Sequence, residues 1–122
     1  LSANGGWVGL SDISHINDDE FMVIERDNQA GPDAAIKRLY KFSISDLTPL
    51  MDDGSDNVAY PIVEKVLVDD LMDNLSATGG MVLEKIEGLT IIDEEQVLII
   101  NDNDGVDDTN GETQLLRIDN LL

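Results

Sequence analysis

Two short runs carry residue types suited to chemistry. Glu25, Arg26 and Asp27 close one apolar segment, and Asn101, Asp102, Asn103 and Asp104 close another. A guanidinium between two carboxylates suits an anionic substrate, because arginine donates to phosphate or carboxylate in a bidentate fork. Lys37 and Arg38 extend the cationic character, but adjacent strand residues face opposite ways, so only one of them can share a site with Arg26. The plainer reading of this run is charge pairing at a strand exit. The second run offers hard oxygen donors, the set required by Ca²⁺ and, in second place, Mg²⁺. Glu87 stands just before Gly88-Leu89. With Asn101, Asp102 and Asp104 it could supply several of the roughly six to eight oxygens that Ca²⁺ takes. The plainer reading there is a solvated turn rich in Asp and Asn.

Other constellations fall short. Residues 101–112 (NDNDGVDDTNGE) place oxygen-bearing side chains at Asn101, Asn103, Asp107, Thr109 and Glu112. An EF-hand loop needs glycine in the sixth place, whereas Gly105 is fifth and a strand stands where the incoming helix belongs. The segment therefore reads as an irregular acidic loop with calcium-binding character. His15, Asp12 and a serine could be drawn as a hydrolase triad, but no G-x-S-x-G elbow exists and His15 lies beside an expected turn. Asp12 is a further candidate by its place on the first strand. Trp7 reads as a packing residue at a strand edge, and Gly79-Gly80 is too isolated for a phosphate loop.

The 122 residues include 26 Asp and Glu against 7 Lys and Arg, a formal charge of −19. That field repels nucleic-acid backbones and anionic lipid while concentrating cations. Cysteine is absent and histidine occurs once, which excludes disulfides, thiolate sites and multi-histidine metal centres. The longest apolar run, 97–100, is far short of the ~20 residues of a membrane helix. Hydrophobic residues make up 42% of the chain, enough to build a core despite the charge. With Leu1 first rather than Met and no signal-like segment, the chain reads as a mature product or an excised fragment.

The apolar segments are short, β-branched and bounded by Asp, Asn and Gly, so strands are expected at 21–24, 36–44, 62–67, 86–92, 97–100 and 114–118. Residues 69–75 are expected to make a turn or two of helix. Matching Gly9-Leu10-Ser11 to Gly88-Leu89-Thr90, and 21–24 to 97–100, reveals two copies of one plan, the second strands 76 residues apart (97 minus 21). The plan is strand, turn, strand, acidic loop, strand, with a further strand only in the first copy. The expected fold is all-β, about two four-stranded antiparallel blades of a β-propeller within one unit over 1–122. The first blade covers about 7–71, with an inserted acidic loop at 45–61, and the second about 82–120.

Glu25-Arg26-Asp27-Asn28, then Gly31-Pro32-Asp33-Ala34, then Ile36-Lys37-Arg38-Leu39-Tyr40 resembles the phytase-like esterase family ("esterase-like activity of phytase"). So does the pairing of Ile86-Glu87-Gly88-Leu89 with Ile100-Asn101-Asp102-Asn103-Asp104-Gly105. The resemblance runs from about Gly9 to Ile118, leaves 45–61 outside, and matches the carboxyl-terminal part of longer secreted bacterial β-propellers. It implies a fragment of an esterase or phosphoesterase, extracellular or periplasmic, acting on a small ester or phosphoester. Glu87, Asn101, Asp102 and Asp104 would hold a Ca²⁺ that polarises the ester and acidifies a bound water. Glu25, Arg26, Asp27 and Glu87 would form the catalytic set, with Arg26 steadying the anionic group. The fragment alone is expected to be inactive, and its exposed strand edges to invite self-association or docking to the missing part. The alternative is a non-catalytic, calcium-stabilised extracellular binding or structural module.

Overall fold

Runs such as Phe21-Met22-Val23-Ile24 and Val97-Leu98-Ile99-Ile100 are too short for helices and too apolar for surface loops, and each becomes the central strand of a sheet. A computed structural model describes residues 1–50, 54, 59–93, 95–105 and 110–121. The first sheet contains β1 (Val8–Asn17), β2 (Glu20–Asp27), β3 (Lys37–Ser43) and β4 (Val66–Asp70), in that order. The second contains β5 (Ile86–Ile91), β6 (Gln96–Asn101) and β7 (Leu115–Asp119). All pairings among the described residues are antiparallel, and a five-residue helix, α1 (Met72–Ser76), joins the sheets. The protein is all-β, with sheets of four and three strands.

The pairing registers of the two sheets correspond. Phe21 lies opposite Phe42 and Val97 opposite Ile118, and 97 minus 21 and 118 minus 42 are both 76. Leu10 lies opposite Glu25 and Ile86 opposite Asn101, again 76 residues on. A bulge falls between Leu10 and Asp12 in β1 and between Ile86 and Gly88 in β5. The expected match of Gly9 with Gly88 is therefore out by three residues. Gly88 stands opposite Ile100 as Asp12 stands opposite Ile24.

Two strands differ from their expected extents. β1 runs on to Asn17 through Ser11, Asp12 and Ser14, because these polar side chains bond to the backbone of β5. Ser11 Oγ donates to the Ile86 carbonyl (2.7 Å), Ser14 Oγ to the Leu89 carbonyl (2.6 Å), and Asp12 Oδ2 accepts from the Leu89 amide (2.6 Å). β4 begins at Val66 rather than Ile62, and Ile62 is exposed. Its pairing is set by Tyr40 opposite Leu67 and Arg38 opposite Asp70, where Arg38 Nε donates to Asp70 at 3.0 Å. Of the acidic insertion, 51–53 and 55–58 lie outside the described residues.

One cluster of buried side chains serves both sheets. Met22, Ile24 and Leu39 from the first join Ile86, Leu89, Val97 and Ile99 from the second, with Leu71 and Leu75 closing the base. Full burial of each such side chain contributes about 1.5–3 kcal/mol. Leu39 and Leu115 occupy corresponding register positions opposite Ile24 and Ile100, yet Leu39 is buried and Leu115 exposed. Leu39→Ala is expected to cost ~2–5 kcal/mol in urea unfolding. Leu115→Ala in dilute solution is expected to cost less than about 0.5 kcal/mol.

Candidate functional site

The expected catalytic run sits at the end of β2, where the first sheet meets the segment leading into β5. The register places Arg26 between Gly9 and Lys37, so two cations lie side by side on one face. Like charges so placed repel. The chain relieves this by bringing Glu84 over both. Glu84 Oε1 accepts from Arg26 Nη1 at 3.3 Å, and its backbone carbonyl accepts from Lys37 Nζ at 2.9 Å. Arg26 Nη2 donates to Glu87, and its guanidinium lies 4.9 Å from the centre of the Trp7 ring. Arg26 is buried, and both ends of its fork are engaged.

Asp27 and Lys37 are completely inaccessible. Lys37 Nζ faces four oxygens at 2.8–2.9 Å: the Asp27 carbonyl and Oδ1, the Gln29 carbonyl and the Glu84 carbonyl. Asp27 Oδ2 accepts from Ser2 Oγ (2.7 Å) and from the amides of Ala35 (2.8 Å) and Ile36 (3.0 Å). Burial alone pushes the Asp27 carboxyl up, but Lys37, Ser2 and the Ala35 amide together outweigh it and hold it below the usual carboxylate range. Burial likewise draws the Lys37 ammonium down, against the pull of Asp27. Glu25 is apart from this group and pairs with Lys65, which also lies 4.2 Å from the Tyr40 ring centre.

The expected metal ligands are each placed beside a specific partner. Glu87 pairs with Arg26 and Asp104 with Lys85. Asn101 uses its side chain to close the loop before β7, accepting from the Gln114 amide (2.6 Å) and donating to the Glu112 carbonyl (3.0 Å). Asp102 is exposed, and its amide donates to the Lys85 carbonyl at 2.8 Å. Among the described residues no group of three His, Asp or Glu side chains is placed to hold a cation. Asp107 and Thr109 of the acidic loop lie outside the described residues. His15 Nε2 contacts the Asp18 carbonyl in the β1–β2 turn (3.0 Å), while Asp12 serves the β1–β5 seam.

Sequence reasoning missed Glu84, which carries no motif and precedes its strand. Ser2 was missed for the same reason, 25 residues from the carboxylate it caps. A signal exists in the register. Adding 76 to Asp27, Ala35 and Lys37 gives Asn103, Gly111 and Thr113. Asn103 Nδ2 donates to the Gly111 carbonyl (2.8 Å) and to Thr113 Oγ1 (3.4 Å), so an exposed neutral pairing stands where the first sheet buries an ion pair.

The family model described as "Phytase-like: Esterase-like activity of phytase" matches residues 1–105. No curated protein and no solved structure matches the chain. The chain belongs to the Phytase-like family.

Removing one partner of the buried pair leaves an uncompensated charge. Lys37→Met is expected to cost about 3–5 kcal/mol, and adding Asp27→Asn to recover part of that loss in denaturant unfolding. The native Asp27 value lies below its unfolded value of about 3.9. The stability it contributes is present above that pH and disappears as pH falls through the native value. Carboxyl ¹³C NMR titration should accordingly find the Asp27 midpoint below about 3.9.

Proposed function

We propose that this chain is part of a secreted phytase-like esterase domain, extracellular or periplasmic, acting on a small ester or phosphoester, and that it performs no chemistry alone. The family match over residues 1–105 carries this reading. The inactivity of the isolated chain is supported by the state of the expected groups. Asp27 is sealed from solvent, and the Arg26 fork is taken by Glu84 and Glu87. Glu87, 29% accessible against 11% for Glu84, is the more open of the two carboxylates on Arg26 and is the one we assign to meet substrate or water. A Ca²⁺ at Glu87, Asn101, Asp102 and Asp104 would have to draw Glu87 from Arg26 and Asp104 from Lys85. The described arrangement does not itself fit a shared cation, and no step here depends on one.

A second reading is a calcium-stabilised extracellular binding or structural module, and its structural part is favoured by one observation: Asp27, Lys37, Arg26 and Glu84 are all spent on holding segments together. Hydrolysis of p-nitrophenyl acetate and p-nitrophenyl phosphate, with and without Ca²⁺, tests the isolated chain first and then a parent protein, where the readings differ. The purified chain should show no turnover above buffer, and saturable hydrolysis lost in Glu87→Gln would overturn its assigned inactivity. In a parent protein carrying further sheets, Glu87→Gln with Asp102→Asn should lower kcat at least ~100-fold. Full activity there, with a melting temperature raised by Ca²⁺, would favour the structural module.

A further inference from the structure

The shared register allows the burial of the two sheets to be compared position by position. Ile24 and Leu39, both 0% exposed, lie on the face of the first sheet that contributes to the common core. Their counterparts 76 residues on, Ile100 and Leu115, are 39% and 62% exposed. The reverse holds on the other side of the contact. Ile86 and Leu89 are 1% and 8% exposed, whereas Leu10 and Ile13, 76 residues earlier, are 63% and 56% exposed. Thus the first sheet exposes the positions with which the second sheet enters the core, and the second exposes the positions with which the first receives it. Leu10 and Ile13 line an apolar groove of about 420 Å³ with Val23 and Phe42, rimmed by Val63 and Lys65.

We propose that the chain associates head to tail with a second copy of itself, the outer face of one copy's first sheet docking on the outer face of the other's second sheet. The occupant follows from the contact already inside the molecule, since each exposed face keeps the apolar positions and register of one half of it. Charge allows the same choice. Where Arg26 meets Glu84 and Glu87 within the chain, Asp102 would meet Val8 and Ser11 of the second copy, so that position sets no like charges against each other. Such a contact is heterologous: each copy offers two different faces, so copies can add in series. The −19 charge of each copy opposes association and is screened by salt, so binding strengthens as ionic strength rises.

Sedimentation velocity over a concentration series at high salt tests this. The wild-type chain should grow in mass with concentration. Leu10→Asp and Leu115→Asp, both at exposed positions and checked for folding by circular dichroism, should each remain monomeric. Their equimolar mixture should form one-to-one dimers and stop there, because each variant retains one intact face. A wild-type chain that stays monomeric would overturn the proposal and leave these faces to further sheets of the parent domain. Association indifferent to both substitutions, which indicates strand-edge pairing, or variants that do not complement, which indicates a symmetric dimer, would overturn it too.

Discussion

A single ammonium group governs how this molecule is held together. Lys37 Nζ is wholly removed from water, and a charge in that position is tolerable only if oxygens surround it. Three of its four oxygens come from the end of β2 and the turn after it, and the fourth is the carbonyl of Glu84, outside the first sheet. Satisfying the ammonium therefore fixes the segment that enters β5. The second sheet is positioned by the need to complete a coordination shell as well as by apolar contact.

Other features follow from that placement. Glu84 lies between Arg26 and Lys37 with its backbone carbonyl held by Lys37, and its carboxylate joins Arg26 to the seam beside Trp7. Ser11, Asp12 and Ser14 extend the seam along β1, bonding to the backbone at Ile86 and Leu89. The cationic run that looks like a substrate anchor in isolation is thus committed to joining two sheets. Glu87, at the edge of the same seam, retains partial access to solvent.

The strands were largely legible because their apolar runs are short and closed by Asp, Asn and Gly. The 76-residue offset between 21–24 and 97–100 extends to every paired position shared by the two sheets. β1 was harder to read, since Ser11, Asp12 and Ser14 are polar for the sake of bonds to a strand about 75 residues away. The Gly-Leu pairs at 9–10 and 88–89 then drew the alignment three residues off. The start of β4 was misjudged because Ile62 and Val63 look like strand residues, while the pairing is set further on, where Asp70 meets Arg38. In the candidate site, residue types were readable but partners were not. Nothing in the local sequence says that Arg26 and Lys37 share Glu84, 58 and 47 residues away.

Native-state hydrogen exchange under increasing denaturant tests most directly whether this seam makes the two sheets one cooperative unit. Amide protons at Ile24 and Leu39 in the first sheet and at Val97 and Ile99 in the second should converge on the same opening free energy. The Lys37–Glu84 contact, by coupling the sheets, produces that convergence. Exchange of the second sheet at a distinctly lower free energy, while the first remains protected, would contradict it.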